Sequence, residues 1–172
     1  MFCRNSVTWV YRLDRNFTWK SKHEIPEDLV FFDQKKKVRL IVEADGRITI
    51  TRGYSWNGCS PKFCILDLMI GTPDGVVHEC TGRPKTYHAS LVHDALYQFL
   101  PEGLPLKRRH ADRFFLQLMV ESEFLPRWIY WTVVRLLGWI VRWATAKKRE
   151  HQGYARSAKG LAADWSDAEE DG

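Results

Sequence analysis

Hydrophobic and polar residues alternate along part of the first half of the chain, as they do in β-strands. The runs 37–42 and 48–51 show this alternation, and the segment between them contains Asp45-Gly46. Because both of these residues tolerate positive φ, the pattern predicts a β-hairpin. Weaker strand candidates are 6–13 and 29–32. The glycines and prolines of residues 53–86 predict a segment that is mostly loop.

The second half of the chain repeats its apolar residues at the spacing of α-helices. Three helices are predicted, over 87–100, 107–122 and 126–148, the last with Pro126 in its first turn. Strands followed by helices predict an α+β fold, in which N-terminal antiparallel strands precede a C-terminal three-helix unit. The short connection between the first two helices predicts that they pack as antiparallel neighbours.

Charge is distributed unevenly along the chain. Residues 1–160 contain all 26 Lys and Arg but 16 of the 21 Asp and Glu, a net charge of +10, whereas residues 161–172 contain five acids and no base. The length suits one domain, which we place at 1–150, followed by a mobile acidic tail at 151–172. The basic body indicates an anionic partner such as phospholipid or nucleic acid, although a basic solvated surface explains the charge as well, and no clear nucleic-acid motif is present.

The cysteines and the start of the chain both indicate a reducing compartment. The four cysteines form no C-x-x-C pair and have no zinc-finger spacing, so we expect reduced thiols. Residues 1–15 contain no apolar run of signal-peptide length, so we expect a cytoplasmic protein that is not exported through the Sec pathway.

Ionisable residues interrupt the apolar surfaces of the first two predicted helices. His93 and Asp94 lie within the otherwise apolar run 89–97, and Asp112 lies on the next helix. His93 and Tyr97 share a helix face, whereas Asp94 is turned by about 100°. A catalytic imidazole needs an acceptor that holds its second nitrogen, and Asp112 is placed to be that acceptor. The pattern therefore predicts either a general base with its orienting carboxylate or an interhelical hydrogen bond of purely structural value.

The motif H-D-x-x-Y at 93–97, followed by A-D-x-x-F at 111–115, resembles the catalytic core of secretory phospholipase A2. It resembles more closely the disulfide-free version of that core in parvovirus capsid proteins. The resemblance implies that His93 activates a water molecule and that Asp112 orients the imidazole. It also implies that the Tyr97 hydroxyl supports Asp112.

The same resemblance implies a calcium site. The residue after the catalytic histidine, Asp94, would be a calcium ligand. Calcium takes six to eight oxygen ligands, so Asp94 needs helpers from the upstream loop 53–62, and Asn57 and Gly58 are the candidates. This loop is poorer in glycine than the calcium loop of the phospholipase family, and an amide stands at position 57.

A second resemblance covers most of the chain, from about residue 5 to about residue 145. Its four motifs occur in order: G-Y-x-x-N-G-C-S-P at 53–61, V-H-D-x-x-Y at 92–97, R-x-A-D at 109–112 and V-R-x-x-G-x-x-V-x-W at 134–143. They are similar to those of a family found in tailed phages and prophages, known as domain of unknown function 1353 (DUF1353). This resemblance implies a phage setting and no particular activity.

The third predicted helix is apolar around most of its circumference. Its residues suited to a membrane or a partner surface are Trp128, Trp131, Trp139, Trp143, Arg135 and Arg142. The arginines fall in one stripe about 80° wide, and two of them near the middle make a membrane span costly, at about 2.5–3.5 kcal/mol each. A core helix would bury Val133, Leu136 and Ile140 and turn this stripe to solvent. An interfacial helix would instead place the tryptophans at headgroup depth or against a virion partner.

Two functions of different classes follow from these patterns. The first is a phage-encoded, calcium-assisted hydrolase of the phospholipase A2 type that acts on host membrane lipid. The second is a non-catalytic phage virion or assembly component that uses the same helices as an interaction scaffold. The expected partners are accordingly anionic phospholipid or phage virion proteins, and the expected location is the host cytoplasm, with packaging in the virion left open.

Overall fold

A computed structural model of the chain confirms the α+β class. Antiparallel sheets formed mainly by the first half of the chain are followed by helices, of which the first two pack together. The structure describes residues 11–58 and 77–135 in full, and beyond these the backbone pairing of strands at 62–65, 68–71 and 155–158.

The strands of this described part form three antiparallel sheets. Two of the sheets are strand pairs: β1 (Tyr11–Arg12) with β6 (Ser55–Trp56), and β7 (Lys62–Ile65) with β8 (Leu68–Gly71). The third sheet is built from β2 (Phe17–Lys20), β3 (Leu29–Phe32), β4 (Val38–Val42), β5 (Arg47–Ile50) and β9 (Ala155–Ala158). Its strand order is β2-β5-β4-β3-β9.

The predicted hairpin is confirmed as β4 and β5, in which Val42 pairs with Ile48. Gly46 has a φ of +86° and donates its backbone N–H to the carbonyl oxygen of Glu43 at 2.9 Å. A Cβ atom at this position would also lie 2.7 Å from the carbonyl oxygen of His23. Glycine is therefore required here both by the backbone conformation and by the close approach of a neighbouring segment.

The first two helices begin and end within one residue of their predicted bounds. They are α1 (Tyr87–Phe99) and α2 (Arg108–Glu121). A short 3-10 turn, Leu100–Glu102, follows α1. Gly103 then adopts a φ of +90°, which glycine reaches without strain and which turns the chain back toward α2.

The third helix, α3, begins at residue 127 directly after Pro126 and is described to residue 135. Val134 lies in the core, whereas Val133 is only half-buried. The expectation that Val133 belongs to the core is therefore wrong, because the described part of α3 turns Tyr130 and Val134, four residues apart on one face, toward the core. The other residues named for this helix lie outside the described part: Leu136, Trp139, Ile140, Arg142 and Trp143.

Residues 53–86 contain more strand than expected. The prediction of a mostly loop segment did not include β6, β7 and β8, which are two to four residues long. Such strands are too short for alternation to stand out among glycines and prolines. The candidate at 6–13 is described only from Tyr11 onward, where it forms β1.

The main hydrophobic core lies between the five-stranded sheet and the helices. Phe31 of β3 meets Phe99 of α1 with 5.2 Å between ring centroids, and Trp19 of β2 meets Phe114 of α2 at 5.5 Å. The Trp19 indole N–H also donates to Glu121 at 2.9 Å. Because α1 and α2 pack on the same sheet as well as on each other, buried contacts fix the side chains between them.

β9 brings residues 155–158 to the edge of the sheet beside β3. These residues belong to the stretch that the sequence assigns to a mobile tail. An edge strand is held by backbone hydrogen bonds and needs little apolar side chain, so its sequence carries a weak signal. The division of the chain at residue 150 stays a prediction.

Candidate functional site

The facing surfaces of α1 and α2 bring His93 and Asp112 together. His93 Nε2 lies 3.3 Å from Asp112 Oδ1, and the two side chains are 10% and 3% exposed. Tyr97, one turn further along α1, contacts the same carboxylate oxygen. Residue 93 meets residue 112 while residue 97 meets Arg108, which is the order expected of antiparallel helices. The three residues of the predicted catalytic group are therefore in mutual contact.

A chain of hydrogen bonds with a defined direction ends on Asp112. The Arg108 guanidinium donates from Nε to Tyr97 Oη at 2.6 Å. Tyr97 has a single hydroxyl proton, which it donates to Asp112 Oδ1 at 2.6 Å. An ionised carboxylate is an acceptor only, so the neutral imidazole of His93 carries its proton on Nε2 and its lone pair on Nδ1.

The imidazole of His93 is held by its surroundings on several sides. Its ring centroid lies 4.2 Å from that of Tyr97 and 5.0 Å from that of Phe115. Its Nδ1 atom lies 3.7 Å from Asp94 Oδ1. That distance is too long for a hydrogen bond, so Asp94 acts on the imidazole through its charge. The lone pair of His93 thus faces a second carboxylate, whose side chain is 26% exposed.

Burial and charge shift the pKa values of the site in a consistent direction. Burial is the largest influence on His93 and opposes its protonation, but Asp112 and Asp94 together outweigh it and raise the pKa of His93. Burial also opposes ionisation of Asp112, but its donors His93 and Tyr97, with Arg108 nearby, lower the pKa of its carboxyl. Burial and then the bond to Asp112 raise the pKa of Tyr97. At neutral pH Asp112 is ionised and Tyr97 is protonated, as a base with its orienting carboxylate requires.

β6 and the residue before it lie along the face of α1 that carries Asp94. The Tyr54 hydroxyl donates to Gln98 at 2.7 Å, and the Trp56 indole N–H donates to Ser90 Oγ at 3.1 Å. Ser90, Asp94 and Gln98 are four residues apart and share one helix face. The start of the predicted calcium loop is therefore hydrogen-bonded to α1 one turn before Asp94, at Ser90, and one turn after it, at Gln98.

The predicted metal ligands Asp94, Asn57 and Gly58 do not belong to a cluster of strong metal-binding side chains. Among the residues described, no three His, Cys, Asp or Glu side chains are grouped as ligands. Gly58 is buried, with a φ of +74°, and residues 59–61 lie outside the described part. A cation here would take one carboxylate and otherwise amide and carbonyl oxygens. Such a donor set is compatible with calcium and unlike the nitrogen and sulfur ligands of zinc.

An open groove of about 850 Å³ lies near the amino end of α1, away from this site. Residues 13–18 and residues 78–88 contribute most of its walls, and none of His93, Asp94 and Asp112 lines it. A site is defined by convergent reactive groups rather than by volume alone. We therefore place the candidate site at the His93–Asp112 pair.

The junction between α2 and α3 presents apolar side chains to solvent. Leu125, Ile129 and Trp128 are 84%, 66% and 57% exposed. Trp131 is half-buried, and the guanidinium carbon of Arg135 lies 5.3 Å from the centre of its ring. Of the residues predicted to contact a membrane or a partner, Trp128, Trp131 and Arg135 are thus at least partly exposed. In the part of the chain that the structure describes, no helix is long and apolar enough to cross a membrane.

Arg108 is the member of the site that the sequence analysis missed. It lies in the basic run 107–109, where composition does not show which residue faces inward. Its spacing of four residues from Asp112 places the two on one helix face, and its Nε lies 3.9 Å from Asp112 Oδ2. Two features of the sequence could have identified Arg108. Its spacing of four residues places it on the helix face of Asp112, and the predicted antiparallel pairing of the two helices places residue 108 opposite Tyr97.

A family match covers the helices that carry the candidate site. The model of a family described as protein of unknown function (DUF1353) matches residues 71–134, a shorter span than the resemblance seen in the sequence. The matched segment includes His93, Asp94, Tyr97, Arg108 and Asp112. No curated protein and no solved structure matches the chain.

Proposed function

We propose that this protein is a phage-encoded hydrolase of the phospholipase A2 type, in which His93 and Asp112 activate water against an ester of host membrane lipid. The observation that carries the proposal is the buried pair itself, in which Asp112 holds Nε2 and leaves the lone pair on Nδ1. Tyr97 and Arg108 keep Asp112 ionised and oriented. The lone pair faces the partly exposed side of the helix pair, where Asp94 lies.

The proposed reaction is hydrolysis of a carboxylic ester. His93 Nδ1 takes a proton from water while the water oxygen attacks the carbonyl carbon of the ester. Asp112 stabilises the imidazolium and does not itself take the proton. When the tetrahedral intermediate collapses, the bond from carbon to the glycerol oxygen breaks and His93 returns its proton to that oxygen. The products are a fatty acid and a lysophospholipid.

Calcium is the cofactor we propose for this site. Asp94 would hold it, together with the amide oxygen of Asn57, the carbonyl oxygen of Gly58 and the loop that follows. Asp94 suits this role because its carboxylate is partly exposed and lies on the face of α1 to which β6 is fastened. When bound, the cation would stabilise the negative charge that develops on the ester carbonyl oxygen.

The test is the release of fatty acid from anionic phospholipid vesicles, measured with calcium and with a chelator. We expect hydrolysis by the wild type only in calcium, and a loss of about 10²–10⁴ in rate for His93→Gln and for Asp112→Asn. The amide of Asp112→Asn can keep a hydrogen bond but cannot stabilise an imidazolium. The matched control is His88→Gln, which alters the histidine of α1 that stacks on Phe17. Site variants that are destabilised but fully active per folded molecule would refute the catalytic assignment.

A non-catalytic virion or assembly component is the second candidate function. Its support is the exposed apolar surface formed by Leu125, Trp128 and Ile129, which suits a protein partner as well as a lipid surface. In this case the protein co-purifies with phage particles. His93→Gln should then still be incorporated, whereas Leu125→Ser combined with Ile129→Ser should not.

A further inference from the structure

We infer that Arg108 is a positioning residue, which sets the direction of the hydrogen bonds ending on Asp112 and ties that arrangement to α3. Its catalytic consequence rests on the proposed function, while its structural part rests on geometry alone. None of the motifs on which the two family resemblances rest includes this residue.

The hydrogen bonds from Arg108 through Tyr97 to Asp112 have a fixed direction because a guanidinium can donate hydrogen bonds but cannot accept them. The contact of 2.6 Å between Arg108 and Tyr97 can only run from the guanidinium to the phenol oxygen. The phenol proton is then directed to Asp112, also at 2.6 Å. If residue 108 offered an acceptor, Tyr97 could donate to it instead, and the buried carboxylate would lose a donor.

Arg108 also compensates the charge of Asp112. The Asp112 side chain is 3% exposed, and Arg108 Nε lies 3.9 Å from its Oδ2 atom. An uncompensated carboxylate in such a place is strongly destabilising. The Arg108 side chain is itself 25% exposed, so it spans the distance from the buried pair to the surface.

The far end of the guanidinium binds the backbone of α3. Arg108 Nη2 donates to the carbonyl oxygen of Arg135 at 3.1 Å and, less closely, to that of Val134 at 3.4 Å. A planar guanidinium can hold Tyr97 and these carbonyls at once, whereas a lysine ammonium carries all its donors at one point. Arg108 therefore fixes the distance between the His93–Asp112 pair and the helix whose start carries the exposed apolar side chains.

The test combines Arg108→Gln and Tyr97→Phe, singly and together, with anionic phospholipid vesicles as substrate in calcium. We expect Arg108→Gln to lower kcat by up to about 100-fold with KM little changed, because alignment is lost while lipid binding is kept. The loss of kcat in the double variant should be smaller than the product of the two single losses, since the arginine acts in part through the phenol. Arg108→Lys should recover only part of the loss. The control Arg113→Gln removes the same charge from an exposed position of α2 and should leave kcat unchanged.

A second set of measurements does not depend on enzymatic activity, so it tests the positioning role of Arg108 independently of the hydrolase proposal. In nuclear magnetic resonance spectra, Arg108→Gln should move the ring signals of His93, whereas Arg113→Gln should not. The melting temperatures of the single and double variants should be non-additive for Arg108 and Tyr97. Absence of hydrolysis by the wild type, with these two effects present, would refute the hydrolase and keep the positioning role. Additive losses, or equal effects of Arg108→Gln and Arg113→Gln, would overturn the positioning role.

Discussion

His93 differs from His88 and His110 in the direction of its pKa shift. Burial opposes the charged form of all three imidazoles, but only His93 has carboxylates, those of Asp94 and Asp112, that outweigh it. Nearby cationic groups add to burial and lower the pKa of both His88 and His110. The fold therefore makes His93 the better proton acceptor of the three, which is the property a general base needs.

The raised pKa of His93 has a consequence for stability. A group that binds its proton more tightly when folded contributes stability that is complete below its unfolded value of 6.5 and is lost as pH rises through the folded pKa. We expect the free energy of unfolding of the wild type, relative to His93→Gln, to be larger at about pH 5.5 than at about pH 9. Chemical denaturation at both values measures this difference. A difference that grows with pH would mean that the folded state disfavours the proton on His93.

At the scale of elements, the site is assembled by three contacts between elements that are separated by 19 to 34 residues in the chain. The antiparallel pairing of α1 and α2 brings His93 to Asp112. The anchoring of β6 at Ser90 brings the predicted calcium loop to the same helix. The hydrogen bond from the Arg108 guanidinium to the backbone carbonyl oxygen of Arg135 connects the site to α3. Each contact is a hydrogen bond between side chains or from side chain to backbone, placed by the apolar packing around it.

The pairing of β9 with β3 predicts that part of the C-terminal stretch contributes to stability. A chain that ends after residue 159 should keep the free energy of unfolding of the full chain. A chain that ends after residue 152 should lose about 1–3 kcal/mol, because the backbone hydrogen bonds of the four paired residues each contribute about 0.5–1.5 kcal/mol before the ordering entropy is subtracted. Urea denaturation of the two truncated chains measures this. Equal free energies of unfolding for the two truncated chains would mean that residues 155–158 do not contribute to stability, as expected of a mobile tail.

At the scale of the whole molecule, a basic charge and an exposed apolar surface coexist. Residues 1–160 carry a net charge of +10. The surface formed by Leu125, Trp128 and Ile129 adds apolar area at the start of α3. On the membrane surface that we propose as the partner, positive charge would attract the molecule to anionic lipid and the apolar side chains would then enter the interface.

This combination predicts binding to anionic vesicles that depends on the apolar surface. Trp128→Ser combined with Ile129→Ser should weaken binding by at least about tenfold, since burying one such side chain contributes about 1.5–3 kcal/mol. The melting temperature should change little because both side chains are exposed. Vesicle sedimentation measures the affinity, and Val134→Ala is the contrasting variant, which should lower stability instead. Undiminished binding by the double variant would place the lipid contact elsewhere.

The sequence by itself determined the features whose signals are local. The bounds of α1 and α2, the β4–β5 hairpin and the α+β class follow from periodicity and from turn residues within windows of about 18 residues. The grouping of His93, Tyr97 and Asp112 also follows, because helical spacing and a short connection suffice to bring these positions together.

Only the tertiary structure decided which residues face inward where the local pattern is ambiguous. The burial of Val134 rather than Val133 and the inward direction of Arg108 depend on neighbouring elements, which residues adjacent in sequence do not specify. β9 is too short for alternation to be visible, and it pairs with β3 from more than a hundred residues away. Such pairings are selected by the free energy of the whole packed arrangement, in which a local preference of a few tenths of a kcal/mol is easily overridden.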